Sequence, residues 1–477
     1  MRGTHYLTRP AYALAMALVS FAAVGVVATP AQAQKKDDKK AAAKALQPTK
    51  AFIPAYTELK TMLDAAAKRP DVIAAKAKVS ETERAYRSAR GRAAQDAARG
   101  QYDASVAALG GLLTAEKAKV DELFTKTGND ADKFFAGQLT FTYGGLAVDK
   151  AMQRRGLVSM IESGNVPATE VGKYNYYAAG FAFDMKDFAA AEASLKAAIA
   201  AGYNGNDVKG LLAEAQNSAG RPADALATIK DLVETSVAAG QVPAADVLER
   251  AVLISYQSKS PDAAEWAIRR AEFYPTQLGW VAAGQILRER GNFGPADSLD
   301  ISRALDKAGA LNTSSQSVQR EYIEYMQSAV GKVGVLYPGE VIKVANQGIK
   351  ATALQATDPF VRDALAEANR RLAADKASLA GLERDARASA ATVKTVLIGA
   401  DTLLSYDQDA KAAELYQIAL GKPGVDLAGA NLRLGIALIK QGKMAEAEAA
   451  LAKVDGPRKG IAQLWTLIAK GKTIPAA

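Results

Sequence analysis

Trp280-Val281-Ala282-Ala283-Gly284-Gln285-Ile286-Leu287-Arg288-Glu289-Arg290-Gly291-Asn292-Phe293-Gly294-Pro295-Ala296 is the stretch that decides the fold. Its informative positions are Trp280, Gly284, Leu287, Gly291, Phe293 and Ala296, separated by four, three, four, two and three residues. Steps of three and four place side chains on one face of a helix. The Gly-x-aromatic-x-x-small step reads as a turn into a second helix. Small residues let the two helices approach closely, and the tryptophan and leucine fill the space between them.

The spacing recurs. Gly435, Leu438, Gly442, Met444 and Ala447 keep it, with Asn431 in the tryptophan place. Leu212, Ala213, Gly220 and Ala225 follow it, with Pro222 at the aromatic position. Ala400, Leu403, Asp407, Ala412 and Ala419 follow it more loosely, as do Lys259, Ala264, Ile268 and Ala271. Phe188, Ala191, Leu195 and Ala198 fit the second helix of a further unit. Lys186 to Gly220 is 34 residues and Asp407 to Gly442 is 35. This pattern resembles the tetratricopeptide repeat (TPR) superfamily, whose period is about 34 residues. The resemblance covers about half the chain, best at 166–310 and 393–455. It implies a right-handed solenoid of helix pairs, in which stacked units present an extended binding surface rather than a closed catalytic pocket. No stretch reads as a strand, so the fold class is all-α.

The chain reads as six segments. Arg2 and Arg9, an apolar run from Ala11 to Ala28 and Ala31-Gln32-Ala33 form a signal peptide over 1–33, cut after Ala33, which predicts an exported and periplasmic protein. An uncleaved anchor is the alternative reading of the same run. Residues 34–50 are a charged linker. Residues 51–165 are helical in pattern but degenerate as repeats, 166–310 form the clearest array, and 311–392 break the rhythm. That interruption either bends the solenoid or divides it into two lobes. Repeats resume over 393–477, and a last helix carrying Trp465 caps the end. Prolines fall at borders: Pro222, Pro261 and Pro295 at the turn into a second helix, Pro243 and Pro275 between units.

Composition removes much chemistry. Cleavage would leave 477 − 33 = 444 residues with a formal charge of 9 − 2 = +7. There is no cysteine, and the single histidine, His5, lies in the signal. The imidazole base, the Ser-His and Cys-His nucleophiles and the nitrogen and sulfur ligands of zinc or copper are therefore absent after residue 33. No phosphate-binding glycine loop, Gly-x-Ser-x-Gly or calcium loop is present, so no cofactor or metal is expected.

The resemblance implies that the first helix of each pair lines a groove. At its matching offsets stand Gln285 and Arg288 in the Trp280 unit and Glu214 and Asn217 in the unit near Asn206. The lysine and asparagine set with which some TPR proteins hold a peptide carboxylate is missing. Tyr174 and Tyr177 belong to the densest aromatic group and suit a recognition surface, although such rings also fill space between helices. The expectation is a non-enzymatic scaffold binding a protein or peptide partner in the cell envelope, with no nucleic acid, no transmembrane span after cleavage and an open oligomeric state. Two alternatives stand: a helical module acting on envelope carbohydrate through paired carboxylates, and a self-assembling structural protein.

Overall fold

The computed structural model describes residues 46–205, 207–312, 316–330 and 336–475. The expected signal peptide, 1–33, and most of the expected linker, 34–50, lie outside these residues. Among the described residues the chain forms twenty-two α-helices and no strand, so the protein is all-α. The helices group into two compact units, divided between Thr228 and Ile229.

Unit 1 begins with α1 (Phe52–Ala66), α2 (Pro70–Ser88), α3 (Arg92–Gly111) and α4 (Thr114–Thr125). It continues through α5 (Asp130–Ala147), α6 (Lys150–Glu162), α7 (Ala168–Asp184), α8 (Phe188–Ala200) and α9 (Val208–Ser218) into α10 (Pro222–Ala238), in which the division falls. Unit 2 holds α11 (Ala245–Gln257), α12 (Ala263–Phe273), α13 (Gln277–Gly291), α14 (Pro295–Lys307), α15 (Gln316–Val330) and α16 (Pro338–Lys350). It ends with α17 (Pro359–Arg387), α18 (Val393–Ser405), α19 (Asp409–Leu420), α20 (Leu427–Lys440), α21 (Met444–Leu451) and α22 (Lys459–Ala469). Starts are set locally. Asn129, Asp149, Asp187, Thr276, Thr392 and Asp426 each accept a hydrogen bond from the N–H three residues on, a cap contributing about 1 kcal/mol.

Most neighbours in sequence are neighbours in space, and the close contacts are antiparallel. A Cβ added at Gly284 on α13 would lie 2.9 Å from Leu305 on α14, and one at Gly435 on α20 would lie 2.6 Å from Leu451 on α21. In both pairs the residue numbers are balanced about the turn, as two helices folded back on each other require. The repeating glycine is thus a point of close approach. The turns share a second feature: Lys186, Gly220, Lys259, Asp407 and Gly442 all have φ between 55° and 78°. One unit departs from this. In the Trp280 unit the left-handed residue is Asn292 (φ 46°), while Gly291 remains in α13 beneath the Phe293 ring. The turn is one residue longer, so Ala296 is exposed and Asp297 takes the buried face. Trp280 itself is fully buried between helices.

Segment 311–392 is helical. Its α15, α16 and α17 pack each on the next, α15 on α14 and α17 on α18, and they contribute Tyr322, Tyr325, Val344 and Ala368 to the same core as Trp280 and Trp465. The last helix does more than end the array. α22 packs on α20 and α21 and also on α12 and α14, so the beginning and end of unit 2 meet. Gly460 lies against Leu287 and Ile268, and the Ile474 N–H donates to the Ala308 carbonyl at 3.1 Å.

Candidate functional site

The closure of unit 2 is built around buried charge. The Arg303 guanidinium on α14 donates to both oxygens of Glu340 at 2.8 and 2.6 Å and to Asp300 at 3.1 Å. Arg433 on α20 reaches the other Asp300 oxygen at 3.0 Å. Arg458 bonds Asp297 at 2.6 Å and Asp426 at 2.7 Å. The Trp465 indole donates to the Asp300 carbonyl at 3.1 Å, and Tyr325 and Tyr416 donate to Glu340 and Asp401. Complete burial pushes the Asp300 carboxyl up from its usual range, against the pull of Arg433 and Arg303. Burial lowers Arg433, but Asp300 and Asp401 outweigh it and hold the guanidinium charged.

On this base opens a cleft of about 300 Å³. Helix α14 supplies Asp306 and Lys307, α16 Lys343, the α18–α19 turn Asp407, α19 Asp409 and α20 Lys440, with Tyr325, Ile436 and Trp465 also in its wall. Lys440 donates to Asp407 and forms an ion pair with Asp409, each at 2.8 Å, and Lys343 reaches Asp407 at 3.1 Å. Gln347 donates to Asp306 at 2.6 Å. The two aspartates are driven apart. Burial raises the Asp306 carboxyl, opposed by Gln347 and Lys343. Burial also acts upward on Asp407, but Lys440 and Lys343 outweigh it and hold that carboxyl below its usual range. The cleft therefore offers pre-positioned ammonium groups and carboxylates of unequal acidity. Among the described residues no group of three acidic side chains is placed to hold a metal ion.

The residues singled out from the sequence are distributed over both units. Gln285 and Arg288 come together: both bond Glu321, at 3.0 and 2.5 Å, and Arg288 also bonds Ser302 at 2.8 Å. Glu321 is 1% exposed, so this pair is spent on a buried carboxylate. In unit 1, Tyr174 is buried in the core, and Tyr177 is half-buried between the two core clusters of that unit. Glu214 and Asn217 are half-buried, three residues apart on α9, and their side chains have no hydrogen-bond or ion-pair partner among the described residues. Of the cleft residues, Ile436 and Lys440 stand at the groove offsets of the last unit, but most of the others are not marked by spacing because they come from helices far apart in sequence. One signal was available. Asp407 and Lys440 sit 33 residues apart, near one repeat period, Asp407 in the turn after α18 and Lys440 at the end of α20.

No helix among the described residues is long and apolar enough to cross a membrane. Neither a protein-family model nor a curated protein matches this chain.

Proposed function

We propose that this chain is an exported interaction scaffold of the cell envelope. In this reading it is built from TPR-like helix pairs wound as a right-handed solenoid, with the leader removed after Ala33. The observation that carries the reading is the unit 2 cleft. Charged groups from several helices converge there on a base already fixed by buried ion pairs, which suits recognition of a charged protein segment by exchange of cleft ion pairs over an unmoving base. Lys307, Lys343 and Lys440 meet the acids of that segment, and Asp306, Asp407 and Asp409 its bases. A photo-crosslinking residue placed at Lys307 in the native envelope tests this. The scaffold reading expects a discrete partner that disappears when Lys343→Glu and Lys440→Glu are added. Capture of nothing, together with turnover of an envelope polymer by the purified protein, would sink it.

One observation favours a second reading. Asp306 and Asp407 line one cleft with acidities shifted in opposite directions, the arrangement by which carboxylate pairs divide acid and base roles in glycoside hydrolysis. Hydrolysis of cell-wall glycan by the purified protein, abolished by Asp306→Asn, would establish it. A self-assembling role would rest on an open apolar end, and α22 packs over the α12–α14 end of unit 2.

A further inference from the structure

Unit 1 carries a charged feature outside this cleft. Helices α2 and α3 pack on each other as a hairpin joined by Ala89-Arg90-Gly91. Four arginines, Arg84, Arg87, Arg90 and Arg92, fall within nine residues at its tip, and all are exposed. No acidic residue occurs from Arg84 to Gln95. Gly91, at φ 82°, makes the reversal, and the Gln95 side chain donates to the Ala89 carbonyl at 3.3 Å and holds it.

The arginines are largely uncommitted. Arg90 and Arg92 have no hydrogen-bond or ion-pair partner among the described residues. Arg84 bonds only the Ser80 carbonyl of its own helix, at 3.3 Å. Arg87 alone is ion-paired, with Glu83 at 2.6 Å. Asp184 on α7 also acts on Arg87, but it is already bonded to Lys150 at 2.7 Å. The backbone adds to the same field. The α3 N-terminus has no side-chain cap and no acid in its first turn, so its free N–H groups present positive potential beside Arg92. The opposing C-terminal end of α2 is offset by Arg87 in its last turn.

We propose that this hairpin tip docks unit 1 on an anionic phospholipid surface. Two observations select a lipid surface over a protein. The tip is a two-helix reversal whose four arginines are all exposed, and the residues between them are alanine, serine, glycine and one half-buried tyrosine, Tyr86, whose ring stacks on Tyr102 at 6.3 Å. A protein interface needs a desolvated apolar centre to hold its partner, and this surface lacks one. Arginines with little around them suit phosphate groups spread over a plane, each met by a planar fork of donors.

The test is co-sedimentation of the purified full chain with vesicles of phosphatidylglycerol and phosphatidylcholine, against phosphatidylcholine alone. Binding is expected only with the anionic vesicles and falls as salt rises. Each basic residue near such a surface contributes about 1 kcal/mol, roughly fivefold. Arg90→Gln with Arg92→Gln therefore weakens binding about 25-fold. Arg370→Gln with Arg371→Gln, which removes the same charge from α17, leaves it unchanged. Circular dichroism confirms that each variant keeps its helices. Equal binding to neutral vesicles, or equal loss in the α17 variant, overturns the proposal. So does tighter binding to a DNA oligonucleotide or a polyglutamate peptide than to the anionic vesicles.

Discussion

Replacing Arg433 with methionine isolates the buried charge network of unit 2. The Arg433 side chain is 12% exposed and Asp300 is fully buried, so the substitution leaves Asp300 with Arg303 as its one cationic partner. It also removes the longer contacts at 3.8 Å to Asp297 and Asp401. Methionine approximates the volume of the arginine stem, so the loss is mainly electrostatic. Removing one member of a buried ion pair costs about 3–5 kcal/mol, because the remaining charge stays out of water. Unit 2 spans 477 − 228 = 249 residues, a size at which 1 kcal/mol shifts Tm by about 2–4 °C. The unit 2 transition in calorimetry should therefore fall by about 6–20 °C. Adding Asp300→Asn removes the stranded charge and should restore most of the loss. The pH dependence has a definite sign. The folded-state Asp300 carboxyl is already raised, and it rises further without Arg433. Between the unfolded and folded pKa the native state then binds more protons, so the stability of the variant increases as pH falls through that window. The gap between wild type and variant must narrow on mild acidification. A variant that melts with the wild type, or a gap that widens toward acid, refutes the assignment of Arg433 as the counter-charge of Asp300.

Gly144→Ala tests the closest helix approach in unit 1: a Cβ there would sit 2.5 Å from the Gln153 backbone nitrogen on α6. Overpacking of this kind costs about 1–3 kcal/mol, to be read as a lower melting temperature for unit 1. Trp465→Ala removes a side chain 1% exposed and its bond to Asp300. It should cost about 3–5 kcal/mol, and limited proteolysis should then cut near Gly456, ahead of a loosened α22. Asp407 has its carboxyl held down by Lys440 and Lys343, so it stabilises the fold above its unfolded pKa, and that contribution is lost as pH falls through the folded value. Asp407→Asn tolerates the left-handed backbone and should flatten the acid limb of the stability profile by lowering stability at neutral pH, while stability in acid is the less affected.

The helix pairs were legible because their causes are local. Gly284, Gly435 and the left-handed residues at Lys186, Gly220, Asp407 and Gly442 each follow from what one turn and two adjoining helices require. The Trp280 unit shows the limit of such reading. Its residues match the spacing best, yet its turn reverses at Asn292. One added residue rotates the following helix, so that Asp297 rather than Ala296 faces inward. The expected groove residues Gln285 and Arg288 illustrate a second limit. Spacing placed them on one face, but could not reveal Glu321, 33 and 36 residues on, to which both are bound. Most of the cleft beyond Ile436 and Lys440 was not legible for the same reason. Its members are assigned by packing between α14, α16, α19 and α20, and no local pattern records which helices will meet.

Charge separates the two surfaces proposed for this chain. Lys307, Lys343 and Lys440 are balanced in the unit 2 cleft by Asp306, Asp407 and Asp409, so the cleft exerts little field beyond a Debye length, about 8 Å at physiological salt. A partner gains there only by replacing ion pairs that already exist, such as Lys440 with Asp407. That exchange contributes little net affinity but penalises any segment whose charges are out of register, which favours selectivity over attraction. The hairpin tip is the opposite case. Arg84, Arg90, Arg92 and the α3 N-terminus act in one direction, with Arg87 offset by Glu83, and the attraction extends outward and weakens with salt. A cleft that discriminates needs its partner brought near, and a surface that attracts without discriminating can hold the protein where such partners are concentrated.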